Sequence, residues 1–258
     1  MAVSTRAVAR RPRAYVAVTG RDAEDFLQRM LSNDVAALSE GDSCDALLLT
    51  PKARVIAPLR VWRRGPEDFL LLTEPDLGDA LRTQLLRARF AAKCEIEPEE
   101  HSSAVIFGAT EGIANDDFGV AAVEVLDCEV EATLSDEELE RLRIEAGTPR
   151  FGREIDDRVL PAEAGLTDRF VSFTKGCYPG QEPIARLHYR GRANRRLSVL
   201  ELEPDHVPAA DAELIRDGKS VGRVTSSVPG LALGYVRREV EDGADLEVEG
   251  RGARVRPA

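Results

Sequence analysis

The residues this chain uses sparingly narrow its function first. It carries four cysteines (Cys44, Cys94, Cys128 and Cys177) with no CxxC spacing, and three histidines (His101, His188 and His206) in unrelated contexts. That leaves no support for a structural zinc, a cluster-binding motif or any other metal site. So few cysteines in 258 residues also argue against a disulfide scaffold. The histidines offer no serine–histidine–acid arrangement, and neither a P-loop nor a GxGxxG turn is present to hold a nucleotide. No apolar run approaches the roughly 18–20 residues of a membrane helix. The longest, Ala46-Leu47-Leu48-Leu49 and Phe69-Leu70-Leu71-Leu72, are strand-length. The opening residues lack the apolar core of a secretory signal, and their four arginines are read as a basic tail over 1–13. The expected compartment is the reducing cytoplasm.

Charge is unevenly spread. The formal net charge is −11, and residues 124–140 hold eight acids and no base. From Lys175 to Arg196 the balance reverses, with six bases against Glu182 alone. A local positive field in an acidic chain suits one anionic ligand better than a nucleic acid, which needs a broader basic surface. The plainer reading is that these arginines pair with acids elsewhere. Lysine is scarce, at positions 52, 93, 175 and 219 only, so a lysine inside the densest motif stands out.

The hydrophobic pattern predicts strands at 14–18, 44–50, 54–64 and 68–73, with Pro58 marking an edge or a bulge in the third. Helices are expected over 21–31 and 75–90, where apolar residues recur every three to four positions. Shorter strands are expected at 104–107, 120–126 and 129–134. Ser135-Asp136-Glu137-Glu138 has the form of a capping box, opening a helix that Gly147 and Pro149 stop. After about 196 the texture changes to six short strands between Pro, Gly and Asp turns, the pattern of a small antiparallel barrel. Strand pairs broken by isolated helices indicate an α+β class.

The densest chemistry lies in Lys175-Gly176-Cys177-Tyr178-Pro179-Gly180-Gln181-Glu182-Pro183-Ile184-Ala185-Arg186. Two glycines and two prolines so close together demand a shaped loop. It carries an ammonium, a thiol, a carboxamide and a carboxylate. The amide and carboxylate suit a flat heterocycle with amine and ring-nitrogen edges. Lys175 can offer a positive charge, and such a cation beside Cys177 would favour the thiolate. A lone cysteine is just as readily a small buried hydrophobe, so residue type alone leaves its role open. The His188-Tyr189-Arg190 stretch reads as surface or loop.

Lys175 to Glu182 resembles the K-G-C-[FY]-x-G-Q-E signature of the YgfZ-type folate-binding proteins, relatives of the glycine-cleavage T-protein (aminomethyltransferase). Arg143-Ile144-Glu145-Ala146-Gly147, Gly152 and Pro161-Ala162-Glu163-Ala164-Gly165-Leu166 resemble the upstream pattern of that superfamily. The stretch from Arg192 to Leu197 is similar to its basic approach to the C-terminal barrel, and Gly20 through Ser32-Asn33-Asp34 to its first helix. The resemblance implies a pseudo-symmetric folate-binding body with antiparallel sheets and flanking helices over 14–196, and a barrel over 197–258. It implies tetrahydrofolate or another reduced folate as ligand. It also implies a role in assembly or repair of iron–sulfur proteins, with tRNA modification as an indirect consequence.

Carried over by position, Lys175, Gly180, Gln181, Glu182 and Glu163 are the folate contacts, and Arg195 or Arg196 faces the folate tail. Cys177 is the functional thiol, acting on the one-carbon unit or in a cluster or redox step. The signature loop is expected to form one wall of the pterin cavity. One departure stands out: the stretch that corresponds to the T-protein's acidic pair, Ala53-Arg54-Val55-Ile56-Ala57-Pro58-Leu59, has no acid. Aminomethyl transfer would lose its main electrostatic help without it, so a folate-dependent one-carbon transferase is the alternative and the enzymatic question stays open. The expected partners are the folate and iron–sulfur client or assembly proteins, with no direct nucleic acid, no membrane and a monomeric chain. A scaffold that kept the fold and lost its ligand is the dullest reading.

Overall fold

Two antiparallel sheets and a closed barrel carry the chain, each built on apolar runs visible in the sequence. The computed structural model describes residues 7–257, so residues 1–6 of the expected basic tail lie outside it. In chain order the first strands are β1 (Val8–Arg10), β2 (Ala14–Thr19), β3 (Ser43–Leu49), β4 (Val55–Gly65) and β5 (Asp68–Thr73). Next come β6 (Glu95–Glu99), β7 (Ser103–Phe107), β8 (Ile113–Asn115) and β9 (Ala122–Leu126). The helices are α1 (Ala23–Met30), α2 (Gly78–Ala88), α3 (Asp136–Glu145), α4 (Thr167–Phe170) and α5 (Gln181–Arg190). The barrel strands are β10 (Arg195–Leu202), β11 (Glu213–Arg216), β12 (Lys219–Val228), β13 (Leu231–Arg237), β14 (Asp245–Val248) and β15 (Arg251–Val255).

The larger sheet has the order β3-β4-β5-β2-β6 and the smaller β1-β7-β9-β8. The run Phe69-Leu70-Leu71-Leu72 is wholly buried because the larger sheet is covered on both faces. Phe69 and Leu71 join Phe26, Leu27, Leu81 and Leu85 of α1 and α2, while Leu70 and Leu72 meet Tyr15, Ala17 and Ile113, the last from the smaller sheet. Pro58 sits where β4 has not yet begun to pair with β5, a ladder that starts at Leu59, so its missing N–H falls on a local edge.

The barrel closes through β10, which pairs with both β13 and β15. It is bound to the body by Arg143, whose guanidinium reaches Glu140, Glu154, Thr148 O and Ser226 Oγ. The Tyr235 hydroxyl adds a hydrogen bond to Glu154 O at 2.8 Å. Ser135 and Glu138 form both halves of the expected capping box.

Five elements differ from expectation. Val8–Arg10 is a strand paired with β7, so the expected tail is, from residue 8, part of a sheet; Val8 and Ala9 are buried on it. Residues 129–134 are a loop, not a strand; their backbone serves β1 instead, Thr133 N donating to Val8 O at 2.8 Å. β6 and β8 are strands the pattern did not suggest, since Glu95–Glu99 is mostly acidic and Ile113–Asn115 is three residues long. Finally, the signature is only half a loop, because α5 begins at Gln181. Pro183 is tolerated in the first turn, where no intrahelical donor is needed.

Gly180, the residue before α5, has φ 84°. A β-carbon there would lie 2.7 Å from Thr50 O and 3.1 Å from Ala53 Cα, so the glycine lets the signature press onto the β3–β4 turn. Left-handed strain and this backbone clash together predict that Gly180→Ala costs about 2 kcal/mol or more, measurable as a fall in the urea midpoint at unchanged m-value.

Candidate functional site

A cavity of about 260 Å³ opens where the N-terminal segment, the β3–β4 ladder, the end of α3 and residues 164–170 converge. Its polar side is built from Arg11, Arg13, Asp45, Arg60, Asp117 and Arg169, and its apolar side from Phe118, Phe151, Leu166, Phe170 and Leu197. Each polar residue is placed by its element. Asp45 and Arg60 are cross-strand partners in the β3–β4 register, Asp117 follows β8, and Arg169 lies on α4.

These groups form a continuous buried ion cluster. Arg60 reaches Asp45 at 3.0 Å, Asp117 at 3.4 Å and Glu124 at 3.6 Å. Arg13 reaches Glu124 at 3.0 Å and Asp117 at 3.4 Å. Arg169 adds Asp117 at 2.6 Å and Asp45 at 2.8 Å. Burial alone would push Glu124 up, but the Arg13 ion pair and hydrogen bonds hold it below the ordinary carboxylate range. Asp117 is likewise held down against burial, chiefly by Arg60, then by Arg13 and Arg169. The Arg13 guanidinium, which burial would weaken as an acid–base partner, is kept charged by Glu124. Among the described residues, Arg60 Nη1 and Arg11 Nε remain buried with no hydrogen-bond acceptor.

The residues singled out in the sequence stand elsewhere. The Lys175 ammonium is sealed against the C-terminal end of α1, donating to Gln28 O at 2.5 Å, Leu31 O at 2.7 Å and Asn33 O at 2.8 Å. Its three donors are spent on backbone carbonyls that a helix end leaves open. The ammonium is thus committed to backbone, and Lys175 is not among the residues lining the cavity. Burial pushes it down to about 8. Cys177 is a free, exposed cysteine. Gln181 and Glu182 open α5, with Glu182 exposed. None of Lys175, Cys177, Gly180, Gln181 and Glu182 lines the cavity.

The signature loop is therefore not a wall of this cavity. Its Tyr178, with Ile184 of α5, is buried in an apolar layer with Ala164, Leu166 and Phe170, and it is those three that face the cavity. Glu163 turns away beside that layer. Its carboxylate meets Arg195 at 3.1 Å and accepts from Leu160 N at 3.1 Å, on a separate open shelf with Arg237 and Arg238. Arg196 points to Asp242 at 2.5 Å and to Val240 O, away from both. The plainer reading of the basic segment thus holds for Arg195 and Arg196.

Sequence reasoning missed the cluster because its members come from six separate segments. The one local hint was an arginine–acid pattern inside strand-like runs: Asp45 before Leu47-Leu48-Leu49, and Arg60 between Leu59 and Val61. Charges there are unusual unless paired.

The comparisons with known proteins agree with this architecture. The description "Glycine cleavage T-protein C-terminal barrel domain" matches residues 195–258, the whole of the observed barrel. An uncharacterized protein of Haemophilus influenzae is 27% identical, with 83% of this chain covering 81% of that one. A tRNA-modifying protein YgfZ of an Enterobacter species is 25% identical over 92% of this chain and 85% of its own. The crystal structure of glycine cleavage system aminomethyltransferase T from Bartonella henselae superposes with a TM-score of 0.84 at 21% identity, covering 98% of this chain and 85% of the other, and so shares the fold. The barrel match, the full-length relatives and the shared architecture together support a YgfZ-type member of the glycine-cleavage T-protein superfamily.

Proposed function

We propose that this chain binds a reduced folate, tetrahydrofolate or a close derivative, in the central cavity and supports the assembly or repair of iron–sulfur proteins. The observation that carries the reading is the cavity's two-sided chemistry. A pterin is flat, with a carbonyl edge that needs donors and an amine edge that needs acceptors. Phe118, Phe151 and Phe170 line the cavity as apolar surfaces for the ring. Arg11 Nε, buried without an acceptor, is the donor in want of a partner, and Arg60 Nη1 has only the Glu124 carboxylate at 3.6 Å. Asp117, held below the ordinary carboxylate range by its arginines, keeps a lone pair for an amine, and Asp45, which burial pushes up, lines the cavity beside it. Arg150, also lining the cavity but partly exposed, is the guanidinium placed to meet a carboxylate tail. A bound folate would supply a one-carbon carrier; the protein's own groups would orient the ring and keep it from water.

The iron–sulfur role rests on the family resemblance and on the exposure of Cys177. That thiol sits outside the cavity, where a protein client can reach it. The aminomethyltransferase alternative is not favoured. Pro58 lines the cavity near where the T-protein carries its acid, and both nearby carboxylates are neutralised by guanidinium groups, so neither is free to hold a developing charge on the folate amine.

Two outcomes are expected. Ala146→Trp, filling the mouth from an exposed position on the cavity rim, lowers tetrahydrofolate affinity at least ~tenfold in calorimetry, about 1.4 kcal/mol, while Arg196→Ala leaves it within twofold, or about 0.4 kcal/mol. Equal affinity in the filled variant would remove the cavity from the account. Cys177→Ala keeps folate binding but fails to restore iron–sulfur enzyme activities in cells lacking the parent protein; full restoration would deny the thiol a role.

A further inference from the structure

The Ser32-Asn33-Asp34 turn between α1 and β3 is not used by the folate reading, yet it touches both halves of the molecule that matter. Asn33 Nδ2 donates to Asp45 O at 2.7 Å and to Arg169 O at 3.0 Å. These are the backbones of two cavity residues whose side chains pair at 2.8 Å. The carbonyl of the same Asn33 accepts from the Lys175 ammonium, two residues before Cys177. Asn33 Oδ1 accepts from Asp34 N at 3.0 Å, so both amide protons and one oxygen lone pair are engaged. Ser32 repeats the pattern: its hydroxyl donates to Phe170 O and accepts from Leu47 N, and its carbonyl accepts from Ser172 N.

The result is one contiguous hydrogen-bonded path from the cavity wall to the cysteine loop. Asp45, Arg169 and Phe170 stand at one end and Lys175 at the other, with only the turn between them. Such a chain of short, directional contacts transmits displacement better than apolar packing, provided that its two ends share one rigid link. Asn33 is the direct link, its side chain bonding to the cavity residues and its carbonyl to the lysine ammonium, whereas Ser32 reaches Lys175 only through Ser172.

We propose that Asn33 is a positioning residue that couples the cavity wall to the Cys177 loop, so that a ligand filling the cavity steadies the loop and slows chemical modification of the Cys177 thiol. The identity of that ligand rests on the folate reading; the coupling itself does not.

The test is peptide-resolved labelling of the intact chain with iodoacetamide, in which Cys44, Cys94 and Cys128 are read separately from Cys177. With saturating tetrahydrofolate, labelling of Cys177 in the parent protein slows at least ~fivefold, the low end of common coupling factors. In Asn33→Ala, loaded to the same occupancy, the ratio with and without ligand falls to about one, or zero coupling. A protein in which asparagine serves only to shape the turn would lose stability but keep the ratio. A second arm needs no ligand: Arg169→Ala, which loosens the cavity wall, changes the Cys177 labelling rate in the parent background and has no effect in the Asn33→Ala background. Ligand that binds by calorimetry without changing the rate overturns the coupling and leaves the folate reading standing. Absence of tetrahydrofolate binding removes the folate reading, and the ligand-free arm then decides the coupling alone.

Discussion

Removing Glu124 and Arg60 from water costs several kcal/mol per ion even after relaxation, and their side chains are 0% and 4% exposed. The fold meets that cost only because Arg13, Arg60 and Arg169 converge on Asp45, Asp117 and Glu124 from separate segments. Each partner therefore depends on the correct placement of the others. Removing one member of such a group leaves an uncompensated buried charge, typically worth ~3–5 kcal/mol. The cluster gives little net stability beyond what apolar residues would give. What it gives is a polar centre of fixed geometry, held where the N-terminal segment, both sheets and α4 meet.

That centre explains why the signature loop is so constrained without touching the cavity. Lys175 closes the open carbonyls of α1, Gly180 lets the chain press onto the β3–β4 turn, and Tyr178 fills the apolar layer behind Leu166 and Phe170. Cys177 is left exposed between these anchors. The motif is thus a clamp that presents a thiol outward while buttressing the cavity wall inward. In the proposed function, this separates two roles that one loop was expected to combine: reading the ligand and carrying the functional thiol.

Much of the fold was legible because it follows from short-range pattern. The apolar runs of β3, β5 and β13, the capping box of α3 and the turn-punctuated barrel strands all announce themselves in local composition. The strand at Val8–Arg10 did not, because its arginine-rich surroundings look solvated until Arg11 and Arg13 find buried carboxylates over sixty and a hundred residues away. α5 was hidden by Gly180 and Pro183, which read as loop residues although the first is a helix cap and the second sits in a first turn. The site was the least legible part. Type and spacing marked Lys175 correctly as exceptional, but only the fold shows that its charge answers helix carbonyls. The cavity residues carry no motif of their own; they become a site by tertiary pairing.

No helix among the described residues is long and apolar enough to cross a membrane, and the central question is where in this body the ligand lies. A crystal structure of the chain grown with tetrahydrofolate addresses it directly. The account expects the bicyclic ring between Phe118 or Phe170 and the Arg60–Asp117 pair, with the sulfur of Cys177 out of contact. Ring density lodged against Cys177 and Gln181, with the arginine-lined cavity left vacant, would contradict it.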